Sequence, residues 1–437
     1  MSRTIIILGG GFGGIRAALD LHKNVPKGWN VLLVDQNQYH VYYPRLYELA
    51  LPEDGNHCTI EILQIVKGTR IEFVQGKAIG IDCKGNTLTL ADGKVIPFEY
   101  LILALGAGTD YFGVEGLEQY ACTLKSVGDA EVIRESVGEF LKYTEDRPPG
   151  GRRTVLEPFS VVIGGAGATG VEIAAELAYL FRNIPKDKWS IILVEALSSV
   201  LWMFPSALGQ YAHRRLNTLG VHTMLDTCIK KVVEPHRRGM AFGKRGGVEV
   251  VLAPRPLKPR EVEAQLACDF LPEHEKRVRA DLLLWAGGIR ANPLLSACAL
   301  EVDRKGRVAV DEHLRVKGLE HVFAIGDNAS LQNPATGQPV PATAQAAIEQ
   351  GVLVAQNIVR TLRGRPLQSY VFHNFSAIIP LGHKDAIALI GKRVFHGRLA
   401  LFLRGAADFR YFSHITSGRR RILRIYTWIV DLFLTNV

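Results

Sequence analysis

The chain has 437 residues, of which 47% are hydrophobic and 43 are glycine, and its formal net charge is +9. This length favours two or three domains, and the glycine content is typical of an α/β protein with many tight turns. No apolar stretch reaches the roughly 20 residues of a membrane-spanning helix, and the apolar run at residues 5–8 is too short for a signal peptide, so neither an integral membrane protein nor a secreted one is expected. The positive charge favours an anionic partner, for which nucleic acid, an acidic membrane surface and dinucleotide phosphates all qualify.

The first predicted strand, residues 4–8, runs into a glycine-rich loop and then a helix over residues 15–21. The loop has the spacing Gly-x-Gly-x-x-Gly, which allows a tight turn, a close approach of a pyrophosphate and close packing of the helix on the strand. A second predicted strand, residues 31–34, ends in an acid that can bond a ribose diol. A glycine-rich turn without a ligand is the alternative. We predict a dinucleotide site formed by Gly9, Gly11, Phe12, Gly14 and Asp35.

The same arrangement occurs again after residue 158. A predicted strand over residues 159–163 precedes glycines with the same spacing and a helix over residues 171–180, and a further strand over residues 191–194 ends in an acid. Two complete motifs, each with its acid, are much less expected by accident than one. We predict a second dinucleotide site formed by Gly165, Gly167, Gly170 and Glu195.

The acid of the second site also indicates which nucleotide binds there. A carboxylate at Glu195 can accept hydrogen bonds from a free 2′-hydroxyl and repels a 2′-phosphate. The sequence therefore predicts a preference for NADH over NADPH.

Six cysteines lie at positions 58, 83, 122, 228, 268 and 298, without a Cys-x-x-Cys pair or the spacing of zinc ligands. We therefore expect ordinary free thiols and no metal site.

The paired loops, together with residues 100–107 (YLILALGA) and 322–329 (VFAIGDNA), resemble the pyridine-nucleotide disulfide reductase superfamily. The resemblance implies an α/β fold with two Rossmann-like domains, in which an NAD domain (155–312) is inserted into an FAD domain (1–145 and 313–390). It also implies that Asp327 bonds the ribityl chain of FAD and that Gly106 lies against the same nucleotide. The resemblance further implies that Gly287 and Gly326 bind a cofactor.

Residues 39–50 (YHVYYPRLYELA) stand where the disulfide-reducing branch carries its redox cysteines, and they contain none, which excludes a dithiol mechanism. The stretch resembles type II NADH:quinone oxidoreductases, whose proline and tyrosine near the flavin ring match Pro44 and Tyr47. Arg45 departs from the apolar residue usual in that family. Sulfide:quinone reductases share the outline but rely on late cysteines, and this sequence has none beyond Cys298, although Cys122 could lie near the ring.

Residues 342–351 (ATAQAAIEQG) are similar to the helix start that lines the quinone site of the same family. The resemblance implies that Ala344 and Gln345 line this site, with Gln345 holding a quinone carbonyl. Glu349 stands where the family commonly has a second glutamine. The first turn of an ordinary packing helix remains an alternative.

Catalytic roles are implied by the same resemblance. Glu172, two positions after the last glycine of the second loop, matches a glutamate between nicotinamide and flavin, although an acid near a helix start also complements the helix dipole. His383 and Lys384 are candidates for supplying protons, and a solvated turn is an equally good interpretation there. Asp385 replaces the glycine of the family pattern.

Residues 391–437 carry nine lysines and arginines against two aspartates, interleaved with apolar residues. This pattern predicts a basic amphipathic segment that attaches to an anionic membrane surface, with a dimer interface or a lid as the alternative. Residues 144–157 are predicted to be a linker, and residues 235–260 a loop or β-hairpin of the NAD domain.

The sequence thus predicts a flavoprotein that binds FAD and NADH and reduces a membrane quinone from the cytoplasmic side, without proton pumping. Two other function classes remain open: a soluble reductase for a protein acceptor such as a ferredoxin, and an NADH-binding sensor without turnover.

Overall fold

A computed structural model of the chain describes residues 3–52, 58–145, 158–234, 247–255, 274–298, 300–373, 376–382 and 384–415. Two parallel sheets, whose central strands are buried along most of their length, form its two centres. Continuous apolar strands of this kind are typical of parallel sheets covered on both faces.

The first sheet has the strand order β20-β9-β1-β2-β5, and all its pairs are parallel. Its last strand follows the second sheet in sequence, so the second domain is inserted into the first. Helix α1 packs against the late helix α9 beside this sheet. The first part of the chain comprises β1 (Arg3–Leu8), α1 (Phe12–Asn24), β2 (Trp29–Asp35), β3 (Tyr39–Val41), α2 (Leu46–Leu49), β4 (Thr59–Glu61), α3 (Ile62–Val66), β5 (Ile71–Gln75), β6 (Ala78–Asp82), β7 (Thr87–Leu90), β8 (Val95–Pro97), β9 (Tyr100–Leu103) and β10 (Ala107–Thr109).

The second sheet has the strand order β13-β12-β11-β17, again with parallel pairs. Helix α5 packs into the apolar core of this sheet through Ile133, Val137 and Phe140. The middle part comprises α4 (Leu117–Tyr120), α5 (Val127–Glu145), β11 (Phe159–Gly164), α6 (Ala168–Leu180), β12 (Trp189–Val194), α7 (Ser206–Leu219), β13 (Val221–Met224), β14 (Thr227–Val233), β15 (Val248–Pro254), β16 (Lys276–Ala280), β17 (Leu282–Trp285), β18 (Ile289–Ala291) and α8 (Leu294–Ala297).

Two antiparallel features complete the middle part. The short strands β10 and β18 pair with each other where the chain enters and leaves the second domain. Strands β14, β15 and β16 form an antiparallel sheet. Of the predicted loop or hairpin over residues 235–260, the structure describes β15 and its neighbours, while 235–246 and 256–273 lie outside the described residues. The predicted linker is described only as far as Glu145, the last residue of α5.

The last part returns to the first sheet and then adds a small antiparallel sheet and a long helix. It comprises β19 (Val308–Ala309), β20 (Val322–Ala324), β21 (Ala329–Ser330), α9 (Ala344–Leu362), β22 (Ser376–Pro380), β23 (Ala386–Ile390), β24 (Arg393–His396) and α10 (Arg398–Ile415). Among the described residues, no helix is both long enough and apolar enough to cross a membrane.

The α/β fold with two dinucleotide-binding sheets agrees with the sequence prediction. The predicted membrane segment is only partly visible: residues 391–415 form β24 and α10, while residues 416–437, with four of the nine basic residues, lie outside the described residues. Helix α10 also does more than the prediction assigned to it, because its side chains bond residues 40–48.

Candidate functional site

The two glycine loops have nearly the same geometry. A Cβ atom on Gly14 would lie 1.8 Å from the carbonyl oxygen of Gly9, and one on Gly170 would lie 1.9 Å from that of Gly165. No side chain larger than hydrogen fits at either position, because the displaced neighbour is backbone. Each helix is therefore held close against its strand, as the spacing predicted.

The middle glycine of each loop faces open space instead. A Cβ atom on Gly11 or Gly167 would meet no protein atom within 4 Å, and both residues cap their helices without a side-chain hydrogen bond to the first turn. The first amides of α1 and α6 thus point at cradles that can receive a pyrophosphate. Both loops fit a dinucleotide on the protein's own geometry.

The two acids, Asp35 and Glu195, each accept a hydrogen bond from the glycine loop of their own motif. An oxygen of Asp35 accepts a hydrogen bond from the amide of Gly10 at 2.6 Å, and an oxygen of Glu195 accepts one from the amide of Ala166 at 2.7 Å. Burial raises the pKa of both carboxyl groups, and these backbone hydrogen bonds oppose the rise. The sequence assigned these acids only to the ribose, and the structure adds that they fix the shape of the loop.

Arg255 is a neighbour of Glu195 that the sequence did not reveal. Its positive charge acts to lower the pKa of Glu195, against the larger effect of burial. An arginine near a ribose acid bears directly on nucleotide choice, because a 2′-phosphate would find a cation there.

The end of β9 and the turn at 326–328 join to form the floor of the first site. The buried side chain of Asn328 accepts a hydrogen bond from the amide of Leu105 at 2.9 Å and donates one to the carbonyl of Gly106 at 2.6 Å. Gly106 and Gly326 both have a positive φ, at 68° and 64°, as such tight turns require.

Asp327 fits the role that the resemblance implied. Burial raises the pKa of its carboxyl, while the charges of Lys125 and Arg307 lower it. Within the described part of the chain, no hydrogen bond to this carboxylate is present. A half-buried acceptor of this kind suits a hydroxyl-bearing ligand such as a ribityl chain.

Gly287 closes the second loop from the side of β17. A Cβ atom on Gly165 would lie 2.6 Å from the Cα atom of Gly287, and a Cβ atom on Gly287 would lie 2.4 Å from the ring of Trp285. This glycine therefore shapes the loop by close packing.

The segment 42–48 carries the predicted Pro44 and Tyr47. Tyr47 is buried, its hydroxyl donates to Glu48 at 3.2 Å, and it accepts from Arg404 of α10 at 2.5 Å. Tyr43, to which the sequence assigned no role, is 46% exposed and has the carboxylates of Asp35, Asp327 and Asp129 as its electrostatic neighbours. It stands beside the cradle of the first nucleotide.

Helix α10 is fastened to this segment by two reciprocal ion pairs. Arg45 donates to Asp408 at 2.9 Å, and Arg404 donates to Glu48 at 2.9 Å. Arg404 also donates to the carbonyl of Pro44 at 3.2 Å. The unusual Arg45 thus has a partner, because Asp408 is buried and would otherwise be an unpaired charge.

Glu172 lies where α6, the 42–48 segment and α10 meet. Burial and the negative charges of Glu176 and Glu48 raise its pKa to about 8, while the charge of Arg404 opposes that rise. The helix begins at Ala168, so Glu172 is its fifth residue and not part of the first turn. A simple dipole-complementing role therefore does not account for it.

Lys384 is exposed on the turn between β22 and β23 and is not among the charged neighbours that act most on Glu172. His383 lies outside the described residues. The neighbouring Asp385 accepts hydrogen bonds from the hydroxyl of Tyr211 at 3.0 and 3.1 Å and pairs with Arg215 at 3.4 Å. This acid ties the turn to α7. The cation that reaches Glu172 is Arg404.

Phe12 belongs to an aromatic cluster around the first loop. Its ring lies 5.2 Å from that of His40, 5.8 Å from Tyr42 and 5.1 Å from Tyr411. Burial lowers the pKa of His40 to about 4, so the ring is neutral. Since a carbonyl can only accept, Nδ1 donates to Gly10 at 2.8 Å, and Nε2 accepts from the Tyr411 hydroxyl at 2.8 Å. This cluster links α10 to the first loop.

The start of α9 lies beside the floor of the first site. A Cβ atom on Gly326 would lie 3.3 Å from that of Ala347. Ala344 is the first residue of the helix, and the side chain of Thr343 accepts a hydrogen bond from the amide of Ala346. Gln345 follows in the first turn and receives a hydrogen bond from the amide of Ser376 in β22, a strand that packs against α6.

Residues 3–351 match the pyridine nucleotide-disulphide oxidoreductase family. The chain belongs to this family. Among its relatives, the type II NADH:quinone oxidoreductase of Mycobacterium tuberculosis is 27% identical over 452 residues, which cover 99% of this chain and 88% of that protein.

Two solved structures are similar in fold to this member of the family. NDH2 from Plasmodium falciparum in complex with NADH has a TM-score of 0.79 and 18% identity, with 100% of this chain and 99% of that chain covered. The sulfide:quinone oxidoreductase of Aquifex aeolicus has a TM-score of 0.74 and 18% identity, with 100% and 96% covered. At this identity the likeness shows the fold alone.

The cysteines of this family member separate its chemistry from that of dithiol reductases. Cys58, Cys83, Cys122 and Cys298 are free. Cys122 is buried and pairs with Leu284 at the edge of the second sheet, so it is part of that core. Cys228 is disulfide-bonded, which corrects the expectation of six free thiols. Cys268 lies outside the described residues.

Proposed function

We propose that the protein is an FAD-dependent NADH:quinone oxidoreductase of the type II class, which passes a hydride from NADH to FAD and two electrons on to a quinone without pumping protons. The observation that carries the proposal is Glu172, an acid with a pKa of about 8 between the second nucleotide loop and the Pro44–Tyr47 segment. Such an acid is protonated at neutral pH and can supply a proton. The naming of curated relatives as type II NADH:quinone oxidoreductases supports the same function.

The residues of the first site suit FAD. The amides at the start of α1 would hold its pyrophosphate, and Asp35 would hold its ribose. Asp327 would bond its ribityl chain, and Gly106 would lie against the nucleotide. When bound, FAD supplies the two-electron chemistry that links a hydride donor to a quinone. The second loop and Glu195 would hold NADH.

The overall reaction of NADH, a quinone and one proton gives NAD⁺ and a quinol. In this proposal the carboxyl of Glu172 holds that proton and donates it to a quinone oxygen. Arg404 limits the rise in the pKa of Glu172 and holds Tyr47 in place. Lys384 is a weaker candidate for proton supply than the sequence suggested, because it lies exposed on its turn.

A soluble reductase for a protein acceptor is the second candidate, since the fold alone does not separate it from a quinone reductase. Stopped-flow measurements test both. The flavin absorbance of the purified protein should bleach with NADH and recover on addition of a short-chain quinone. Recovery with a ferredoxin or rubredoxin, and none with any quinone, would overturn the proposal.

We further propose that the protein binds an anionic membrane surface through the outer face of α10. Leu399, Phe402 and Phe409 are 54%, 49% and 37% exposed and share one face at helical spacing, and the exposed Arg398 and Arg410 flank them. Arg404, Asp408 and Tyr411 bond residues 40–48 on the opposite side of α10, so the stripe of Leu399, Phe402 and Phe409 faces outward. Basic residues beside an exposed apolar stripe suit phospholipid headgroups.

Flotation with vesicles tests this surface in the full-length protein. Vesicles that contain phosphatidylglycerol should carry the protein upward, and F402S combined with F409S should reduce the bound fraction. Added salt should release only part of the protein, because the apolar contribution is not screened. Equal binding of the variant and the unaltered protein would show that this face is not the contact.

A further inference from the structure

The start of α9 holds a short chain of hydrogen bonds, and one of its members, Glu349, departs from the family pattern. The amide nitrogen of Gln345 donates to Oε1 of Glu349 at 2.9 Å, one helical turn later. The hydroxyl of Tyr370 donates to Oε2 of the same carboxylate at 3.2 Å. Glu349 therefore lies between a buried phenol and the glutamine of the proposed quinone wall.

The partners at both ends of the Gln345 amide fix its orientation. Its Oε1 accepts from the backbone amide of Ser376 at 3.2 Å, and a backbone N–H can only donate. Its nitrogen faces a carboxylate, which can only accept when ionised. A rotation of the amide by 180° would bring two donors together at one end and two acceptors together at the other.

Tyr370 keeps the carboxylate in place. Its side chain is 4% exposed, and its backbone amide donates to the carbonyl of Glu312 at 2.7 Å, which anchors the residue beside α9. Burial and the charge of Glu349 raise the pKa of Tyr370, so the phenol stays protonated and remains a donor. A buried phenol without such an acceptor would be unfavourable.

We propose that Glu349 is a positioning residue for quinone reduction, which, with Tyr370, locks the amide of Gln345 in one orientation. The reason lies in the chemistry of residue 349. A glutamine there, as in the family pattern, can both donate and accept, so it would permit either orientation of Gln345. A carboxylate permits only one orientation of the Gln345 amide. This inference rests on the proposed quinone reductase function.

A double-mutant cycle on the quinone half-reaction tests the proposal in the FAD-loaded protein. The isosteric E349Q should lower the rate constant for reoxidation by a short-chain quinone about tenfold, as expected for the loss of one charge-assisted hydrogen bond. Y370F should lower it by a smaller factor, and reduction by NADH should change less than about twofold in both. In a Gln345→Ala background the effect of E349Q should nearly disappear, because Glu349 acts through that amide.

The matched control is Q356A, which removes an exposed glutamine from the same helix and should leave both half-reactions unchanged. The proposal is overturned if E349Q acts as strongly in the Gln345→Ala background as alone, or if both half-reactions fall together. A merely structural role for Glu349 would produce that second result.

Thermal unfolding supplies a readout that does not depend on a quinone. Gln345→Ala and Glu349→Ala should together lower the unfolding midpoint by less than the sum of their separate effects, because the two side chains share one hydrogen bond. Additive shifts would contradict the contact. If the unaltered protein fails to react with any quinone while this coupling is present, the proposed function fails and the hydrogen-bonded pair stands.

Discussion

The two nucleotide loops are built alike, but the helices that begin after them differ. Two positions after the last glycine, the first helix has Arg16, which pairs with Asp20 one turn later at 3.0 Å. The second helix has Glu172 at the same place, half-buried and with a pKa raised to about 8. One frame thus carries a structural ion pair in one half of the molecule and the proposed proton donor in the other.

The side chains that enclose the two loops, which form the cover of each loop, differ as well. The first is enclosed by the aromatic cluster of Phe12, His40, Tyr42 and Tyr411, which reaches the carbonyl of Gly10 through a hydrogen bond. The second has Gly287 and Trp285 on one side and no helix corresponding to α10 among the described residues. The difference suits a cofactor that stays bound in the first loop and a substrate that exchanges in the second.

Alanine at the middle glycine of each loop should give the largest effects and separate the two sites. Neither G11A nor G167A strains the backbone, since φ is −76° and −70°, and neither methyl group meets a protein atom. Each methyl group would occupy the cradle itself. We expect G11A to purify without yellow colour, and G167A to retain FAD while its reduction by NADH slows at least about tenfold.

Flavin content by absorbance and stopped-flow reduction measure these two outcomes. The unfolding midpoints of the two variants, compared without cofactor, control for folding. Loss of FAD from G167A would show that the two loops are not independent sites.

Replacement of Glu172 should separate proton supply from hydride transfer. In the unaltered protein, quinone reduction should slow as the pH rises through about 8, because the acid form of Glu172 is lost there. E172Q should slow this step about a hundredfold and remove that dependence on pH. Stopped-flow reoxidation between pH 6 and pH 9, roughly two units below and one above that value, measures both effects. An unchanged pH profile in E172Q would assign the proton to another group.

Exchange of the second ribose acid should narrow the preference for NADH over NADPH. E195Q removes the charge that repels a 2′-phosphate and leaves Arg255 nearby. We expect the preference to fall by about 1 to 3 kcal/mol in the ratio of kcat/KM values for the two nucleotides. Adding R255A to E195Q should restore part of the preference for NADH over NADPH. An unaltered protein with no preference would contradict the role of Glu195.

The smallest expected effect concerns the cover of the first loop. Y411F removes the hydroxyl that donates to His40 and leaves the ring contacts in place. FAD should bind more weakly by about 1 kcal/mol, with NADH binding unchanged. Fluorescence of released flavin on dilution measures this, and F412Y, which changes the neighbouring ring without touching His40, is a matched comparison. If the affinity for NADH fell more than the affinity for FAD, the link between Tyr411 and the first loop would be refuted.

The loops could be predicted because most contacts between their glycines and acids are local, although Gly287 also packs against the second loop. Residues 3–35 and 159–195 each form one continuous strand, loop, helix and strand, so the spacing of a few residues fixes the geometry. The role of Asp327, which the resemblance implied, stays a prediction. The extra role of the acids, as acceptors for Gly10 and Ala166, arises from the turn itself but leaves no separate signal in the sequence.

The partners supplied by α10 could not be predicted. Arg404 and Asp408 bond residues some 360 positions earlier, and no local pattern indicates which buried acid meets which arginine. The resemblance offered Lys384 for proton supply, which stays a prediction, and it gave no indication of Arg404, which the structure brings to Glu172. The apolar composition of residues 391–437 indicated a membrane surface and gave no indication that part of this segment contacts the site.

The hydrogen bond from Tyr411 to His40 joins residues 371 positions apart, so the cover of the first loop is built from nearly the two extremes of the chain. During synthesis, the strands and loop of the first domain emerge long before α10 exists. We therefore expect the emerging polypeptide to fold its first loop early but to retain FAD firmly only once translation has passed residue 415. Prematurely terminated chains would then accumulate as colourless, protease-sensitive products.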